Sequence, residues 1–293
     1  MIHHRTCNIC EAMCGVKIEH DGERVLSVRG DDDDLFSRGY ICPKATALGD
    51  IHSDPDRLRR PHKRVGSEWV ECEWEEALDT CARRLAETQN QHGRHAVGVY
   101  VGNPTAHNLG ALIFGVSLLE SLQTHNRFSA TSVDQLPHML ASLEMFGHQM
   151  VLPIPDVDRC DFMIMLGANP LVSNGSLMSA PGMKRRLTAL KRRGGKLVVV
   201  DPRGTETAKL ADQHLYIRPG TDVLLLAAMI RTVFDEDLLS LRRLAPFTDG
   251  VEQLRQLVKP FAPADVAAAT GIAGDTIVEL TRSFAAARRA VVY

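Results

Sequence analysis

Cys7-Asn8-Ile9-Cys10-Glu11-Ala12-Met13-Cys14 packs three thiols into one short loop, and Gly39-Tyr40-Ile41-Cys42-Pro43-Lys44 returns a fourth after an intervening hairpin. Iron-sulfur cubanes are held by four cysteines with most of them in such a run, and a proline after the last cysteine also occurs in ferredoxins. Structural zinc, which usually draws its ligands from two similar pairs, is the alternative the spacing leaves. Seven cysteines, four of them before residue 43, would make an odd disulfide set in a reducing compartment, so metal binding is the first reading.

Between these thiols, Val16 to Glu19 and Arg24 to Val28 are short alternating runs joined across Asp21-Gly22, the pattern of a β-hairpin. The acidic run Asp31 to Asp34 reads as a solvated loop and not as a calcium site. Lys44, two residues after Cys42, would set a cation beside whatever neighbours the cluster.

From Glu73 onward the pattern becomes helix alternating with strand, which is α/β grammar. Helices are expected over 75–89, from about 107 to 122, up to Arg193 and over 223–234, the last with Thr221 as its cap. Strands are expected over 96–101, 162–166 and 196–200, and the loops after them carry Gly, Asn, Pro and Asp. Cys81 shares a helical face with Trp74, Ala77, Leu78 and Leu85 and is expected in the core. Cys72 and Cys160 receive no role.

The chain has 293 residues, 44% of them hydrophobic, and a formal charge of -2, so it is long enough for real cores and has no general pull toward nucleic acid. No run approaches the roughly 20 apolar residues of a membrane span. The first residues lack a signal core, and a cytoplasmic placement is expected.

In order and spacing, the chain resembles the molybdopterin oxidoreductases of the dimethyl sulfoxide reductase type, which include formate dehydrogenases and nitrate reductases. The motifs are the two cysteine segments, Pro55-Asp56-Arg57-Leu58, Gly102-Asn103-Pro104-Thr105-Ala106-His107-Asn108, Gly167-Ala168-Asn169-Pro170, Val199-Val200-Asp201-Pro202-Arg203 and Pro219-Gly220-Thr221-Asp222. The resemblance implies an α/β fold: a small β-rich 4Fe-4S module followed by doubly wound α/β dinucleotide-binding domains, incomplete at the carboxyl end. It divides the chain into a cluster module at 1–60, part of a first α/β domain at 61–135, a second at 136–285, and the start of a return to the first at 286–293. It also implies a molybdenum or tungsten bis-molybdopterin guanine dinucleotide cofactor, a small-molecule substrate and a redox partner protein or subunit.

By the same resemblance Cys7, Cys10, Cys14 and Cys42 ligate the cluster, and Lys44 lies between cluster and pterin. Asn103, Asn169, Ser173, Asp201, Arg203, Gly220, Thr221 and Asp222 are assigned to pterin-nucleotide binding. Taken singly, Asp201 suits a turn cap and Thr221-Asp222 a helix cap equally well. The family's glycine after the lysine is Ala45 here, which would disturb the loop if that position needed positive φ.

The family's metal ligand lies in the stretch aligned with 126–146, where this chain has no cysteine. Val133-Asp134-Gln135-Leu136-Pro137 places Asp134 at the ligand position, with Ser132 as the runner-up and a helix-capping role for Asp134 as the plain alternative. Gln135 stands where formate-oxidising members carry histidine, so oxygen-atom transfer is the expected chemistry. The competing class is a non-catalytic electron-transfer subunit similar to the large cluster subunit of NADH dehydrogenase. The end, Ala287 to Tyr293, reads as an opening strand without a partner. The chain is therefore expected to be a fragment that exposes apolar surface near Val291 and Val292, binds the bis-pterin cofactor poorly alone and shows no turnover.

Overall fold

A computed structural model describes residues 1–10, 12–174 and 180–293, apart from the side chains of Asn103 and Pro104. The chain divides into two compact units, 1–153 and 154–293.

The first unit opens with an antiparallel sheet of order β1-β2-β3, formed by Ile2–Thr6, Gly15–His20 and Val25–Gly30. β2 and β3 are the hairpin expected from the sequence. At its turn the Asp21 carboxylate accepts the N–H groups of Glu23 and Arg24 at 2.9 and 2.7 Å, which is why aspartate suits that corner. β1 was not foreseen; it pairs with β2 from Ile2 opposite Glu19 to Thr6 opposite Gly15. Two short helices follow, α1 (Pro43–Thr46) and α2 (Leu48–Ser53), and then the hairpin β4 (His62–Val65) and β5 (Glu68–Glu71).

The helix α3 (Trp74–His92) precedes β6 (Val99–Val101), α4 (Leu109–Leu122) and β7 (Arg127–Ser129), and β6 and β7 run parallel. The unit's last helix is α5 (Leu136–Phe146). The expected core position of Cys81 is not found: the residue is exposed, as are Trp74 and Leu78 on the same helix. An amphipathic pattern forms the helix, but burial also requires a partner for the apolar stripe, and no residue of α3 is buried.

The second unit is built on one parallel sheet of order β10-β9-β8-β11, with β8 at Phe162–Leu166, β9 at Lys196–Val200, β10 at Gln213–Leu215 and β11 at Ala290–Val292. β8 and β9 are continuous apolar runs because both faces are covered, as parallel sheets require. Met163, Met165, Leu197 and Val199 pack with Leu187 and Leu190 of α7 (Met183–Arg192). Ile164, Val198 and Val200 pack on the other face with Leu225 of α9 (Asp222–Asp235) and with Ile277 and Leu280 of α12 (Gly274–Ala286). The remaining helices are α6 (Pro170–Ser173), α8 (Glu206–Leu210), α10 (Val251–Val258) and α11 (Pro263–Thr270).

The end of the chain corrects the expectation of a strand without a partner: β11 pairs with β8, Ala290 opposite Phe162 through Val292 opposite Ile164. Arg289 locks the pairing with two hydrogen bonds to the Asp161 carboxylate, at 2.8 and 2.9 Å. Val291 joins the core, and Val292 remains partly exposed.

Candidate cluster and nucleotide sites

The cysteine loop closes on itself, since the Cys7 N–H donates to the Cys14 carbonyl at 2.8 Å and the Met13 N–H to the Cys10 carbonyl at 3.1 Å. Cys42 caps α1, where Pro43 lacks the N–H that the first turn would leave unpaired. Cys7, Cys14 and Cys42 are buried in one apolar nest with Val16 and Ala45, and Cys10, Tyr40 and Ile41 pack against it. Ala45 is helical and buried, so the alanine fits where glycine was expected.

Burial, helped by the neighbouring thiols of Cys7, Cys10 and Cys42, pushes the Cys14 thiol up to about 12. Burial also raises Cys7, and the exposed Lys44 cation opposes that rise. Thiols that feel one another in an apolar nest suit a centre whose positive iron takes up the thiolate charge. Among the described residues no group of three His, Cys, Asp or Glu side chains is arranged to hold a metal ion.

The acidic run is solvated at Asp32 and Asp33, as expected, but its two ends are engaged. Asp31, whose side chain is 13% exposed, bonds His4 at 2.9 Å and Lys17 at 3.1 Å. These partners, His4 first, hold its carboxyl down at about 2. Asp34 accepts from both the N–H and hydroxyl of Ser37, and the Ser37 hydroxyl accepts the Gly15 N–H at 3.1 Å. This network clamps the segment that delivers Cys42. It also demands glycine, because a Cβ on Gly30 would lie 2.0 Å from the Gly39 carbonyl oxygen.

In the second unit β8, β9 and β10 step outward to one side, and the chain then returns to β11 on the other side of β8. That is a topological switch point, where open α/β sheets bind ligands beyond their strand ends. Asn169, after β8, accepts the N–H and hydroxyl of Thr207 at 3.2 and 2.8 Å and donates to Glu206 at 2.8 Å, so it ties its loop to α8. Asp201, after β9, is buried and accepts the Arg203 N–H at 2.7 Å, while the Arg203 side chain is exposed.

After β10, Gly220 takes a φ of +81° and Asp222 opens α9. Thr221 stands at the cap but does not cap the helix; its hydroxyl donates to the Arg218 carbonyl at 2.7 Å instead. Ser173 ends α6, just before residues 175–179, which lie outside the described ones. The side chain of Asn103, at the start of a 3-10 turn after β6, is also outside them. Asn169, Asp201 and Gly220–Asp222 thus lie on loops following three neighbouring strands. Sequence reading missed Thr207, the anchor of Asn169, and the His214–Tyr216 pair beside Asp201.

Asp134 is exposed and lines a cavity of about 690 Å³ with Val101, Gly102, Thr105, Ser129 and Thr131, within the first unit. Its carboxylate accepts the Gln135 N–H, and Gln135, not Asp134, holds the cap position of α5. The Ser132 hydroxyl donates to the Ser129 carbonyl at 3.5 Å, a long contact.

Comparison with known proteins gives two family matches, a molybdopterin oxidoreductase model over residues 57–275 and a molybdopterin oxidoreductase Fe4S4 domain model over residues 2–54. The chain is 26% identical over 98% of its length to F420-dependent formate dehydrogenase subunit alpha of Methanocaldococcus jannaschii, of which it covers 41%. It is 28% identical over 97% of its length to a nitrate reductase of Symbiobacterium thermophilum, covering 38% of it. Acetylene hydratase from Pelobacter acetylenicus superposes with a TM-score of 0.81 at 25% identity, over 99% of this chain and 39% of that one.

Proposed function

The chain belongs to the molybdopterin oxidoreductase family, with its Fe4S4 domain at the amino end, and from that premise we propose that it forms the cluster-binding and nucleotide-binding part of a two-electron oxidoreductase. The observation that carries this reading is the apolar nest that gathers the four cysteines. When bound, a molybdenum or tungsten bis(pterin guanine dinucleotide) supplies two-electron chemistry on a small-molecule substrate, and a 4Fe-4S cluster passes electrons singly to a redox partner. The name "subunit alpha" among the relatives supports a partner subunit.

In this reading Cys7, Cys10, Cys14 and Cys42 hold the cluster, and Lys44 places its charge on the pterin side of it. Asn103, Asn169, Ser173, Asp201, Arg203, Gly220, Thr221 and Asp222 bind pterin nucleotide. Asn169, engaged by Thr207 and Glu206, also holds its loop in shape. Asp134 is the protein ligand of the metal, since it is the carboxylate lining the cavity beyond β6 and β7. Gln135 beside it favours oxygen-atom transfer over formate oxidation. Among the described residues no helix is long and apolar enough to cross a membrane.

Anaerobic reconstitution with iron and sulfide tests the cluster. A brown protein with a broad visible charge-transfer band and a paramagnetic signal on reduction is expected, and Cys10→Ser weakens both. A colourless product holding one tightly bound zinc overturns the assignment. In the longer protein implied by the relatives, Asp134→Ala abolishes turnover with the cluster signal intact, and Ser132→Ala does much less. The reverse order moves the ligand to Ser132.

A further inference from the structure

We propose that Tyr216 is the stacking platform for the base of the nucleotide bound by the second unit. The proposal rests on the nucleotide reading above and adds to it a residue that the motifs do not contain.

Tyr216 directly follows β10 and is 64% exposed, so the core does not explain its ring. The ring is nonetheless held. It lies 4.1 Å from the His214 ring, centroid to centroid, at 52°. His214 Nε2 is 2.9 Å from the Asp201 carbonyl oxygen. A carbonyl only accepts, so Nε2 carries the proton and donates. Tyr216 is thus braced, through one imidazole, on the backbone of Asp201. Its hydroxyl reaches over Gly204, 3.5 Å from where a Cβ would stand, and glycine leaves that side of the ring uncovered by any side chain of its own.

The order of the loops follows the order of a nucleotide. The loop after β8 lies by the switch point and suits a phosphate, Asp201 after β9 suits a ribose, and Tyr216 after β10 stands one strand further out, where the base would lie. Two strand spacings span about 9–10 Å, comparable with the reach from a phosphate to its base. Every base has a π-face, so an exposed ring held in place at that point gains affinity by stacking.

The test uses the full 293-residue chain with GMP, which needs only the second unit, and ribose 5-phosphate, which lacks the base. By isothermal titration, the original protein and Tyr216→Phe bind GMP alike, with the ring protons of residue 216 shifting on binding. Tyr216→Ala and Tyr216→Leu weaken GMP binding roughly tenfold, and His214→Ala weakens it partly. None of the five proteins differs toward ribose 5-phosphate, which separates loss of stacking from loss of fold. GMP binding by Tyr216→Leu equal to that of the original chain overturns the platform and leaves the nucleotide reading standing. If the original chain binds neither ligand, the nucleotide reading fails and takes the platform with it.

Discussion

In the sheet of the second unit Met163, Leu197, Val198 and Val199 are inaccessible to solvent, whereas on α4 of the first unit Phe114 is 74% exposed and Leu109 72%. The two stretches are comparably apolar in sequence, and both form the elements their patterns demand. They differ in partners. β8 and β9 have helices on both faces, while α4 carries exposed apolar residues on several sides, including Leu112, Ile113, Val116 and Leu118. A helix hydrophobic all round is built to be surrounded. This chain spans about two fifths of the length of the relatives it matches. Exposed apolar side chains are dense on α4 and α5, and Val292 is exposed as the sequence suggested, while Val291 joins the core.

The largest expected effect tests that contrast directly. Leu197→Ala, at a fully buried site, should cost about 2–5 kcal/mol, and Phe114→Ala about 0.5 kcal/mol or less. Urea unfolding followed by circular dichroism reads both. Equal costs would mean that α4 is buried in solution, by self-association or otherwise.

Within the first unit the cluster module has a buried nest of its own. Gly30→Ala should break that nest, since the new methyl would meet backbone, 2.0 Å from the Gly39 oxygen, and backbone cannot rotate away. A loss of about 1–3 kcal/mol or more is expected, with reduced iron uptake on reconstitution. Gly66→Ala, with φ +64° but nothing within 4 Å, should carry only the conformational cost of about 1–2 kcal/mol and leave iron uptake alone. Normal iron content in Gly30→Ala would refute the clamp.

How much of this was legible depended on whether a signal was local. β8 and β9 were readable to the residue because continuous apolar runs bounded by glycine and aspartate leave little choice. The cysteine spacing announced its nest for the same reason. The run from Asp31 to Asp34 was legible only in part, because His4 is brought to Asp31 by pairing β1 with β2, which no local pattern predicts. Cys81 misled in the opposite direction, since its helical face is real and its partner is not among the described residues. His214 and Tyr216 were passed over because their meaning comes from the neighbouring strand, where the Asp201 carbonyl waits.

The clamp also carries a pH signature. Asp31 titrates at about 2 in the fold, below the ordinary value of about 3.9. Its contribution is therefore fully present above the ordinary value and is lost as pH falls through about 2. Amide resonances of β1 and β2, followed from pH 5 downward, should fade over that window, and Asp31→Asn should flatten the dependence. Because the pair is near the surface, salt should reduce the effect. A pH profile unchanged by the substitution would remove Asp31 from the clamp.

The smallest effect separates two threonines at helix starts in the second unit. Thr205 is buried, and its hydroxyl accepts the Ala208 N–H at 3.0 Å, a true cap on α8. Thr221 has the same position on α9 but gives its hydroxyl to the Arg218 carbonyl, so the helix gains nothing from it. Thr205→Ala should cost about 1 kcal/mol, and Thr221→Ala only a few tenths. GMP binding should reverse the order, because Thr221 lies on the loop proposed to hold the nucleotide while Thr205 supports α8 from beneath. Thermal melts and titrations on the same two variants then give a crossed pattern: one substitution moves stability more than affinity, the other affinity more than stability. If Thr221→Ala proved the more destabilising of the two, its hydroxyl would be capping α9 in solution and the loop would have to be rebuilt. If it changed neither quantity, the Thr221 contact would drop out of the nucleotide site, while Asp201 and Tyr216 would still define it.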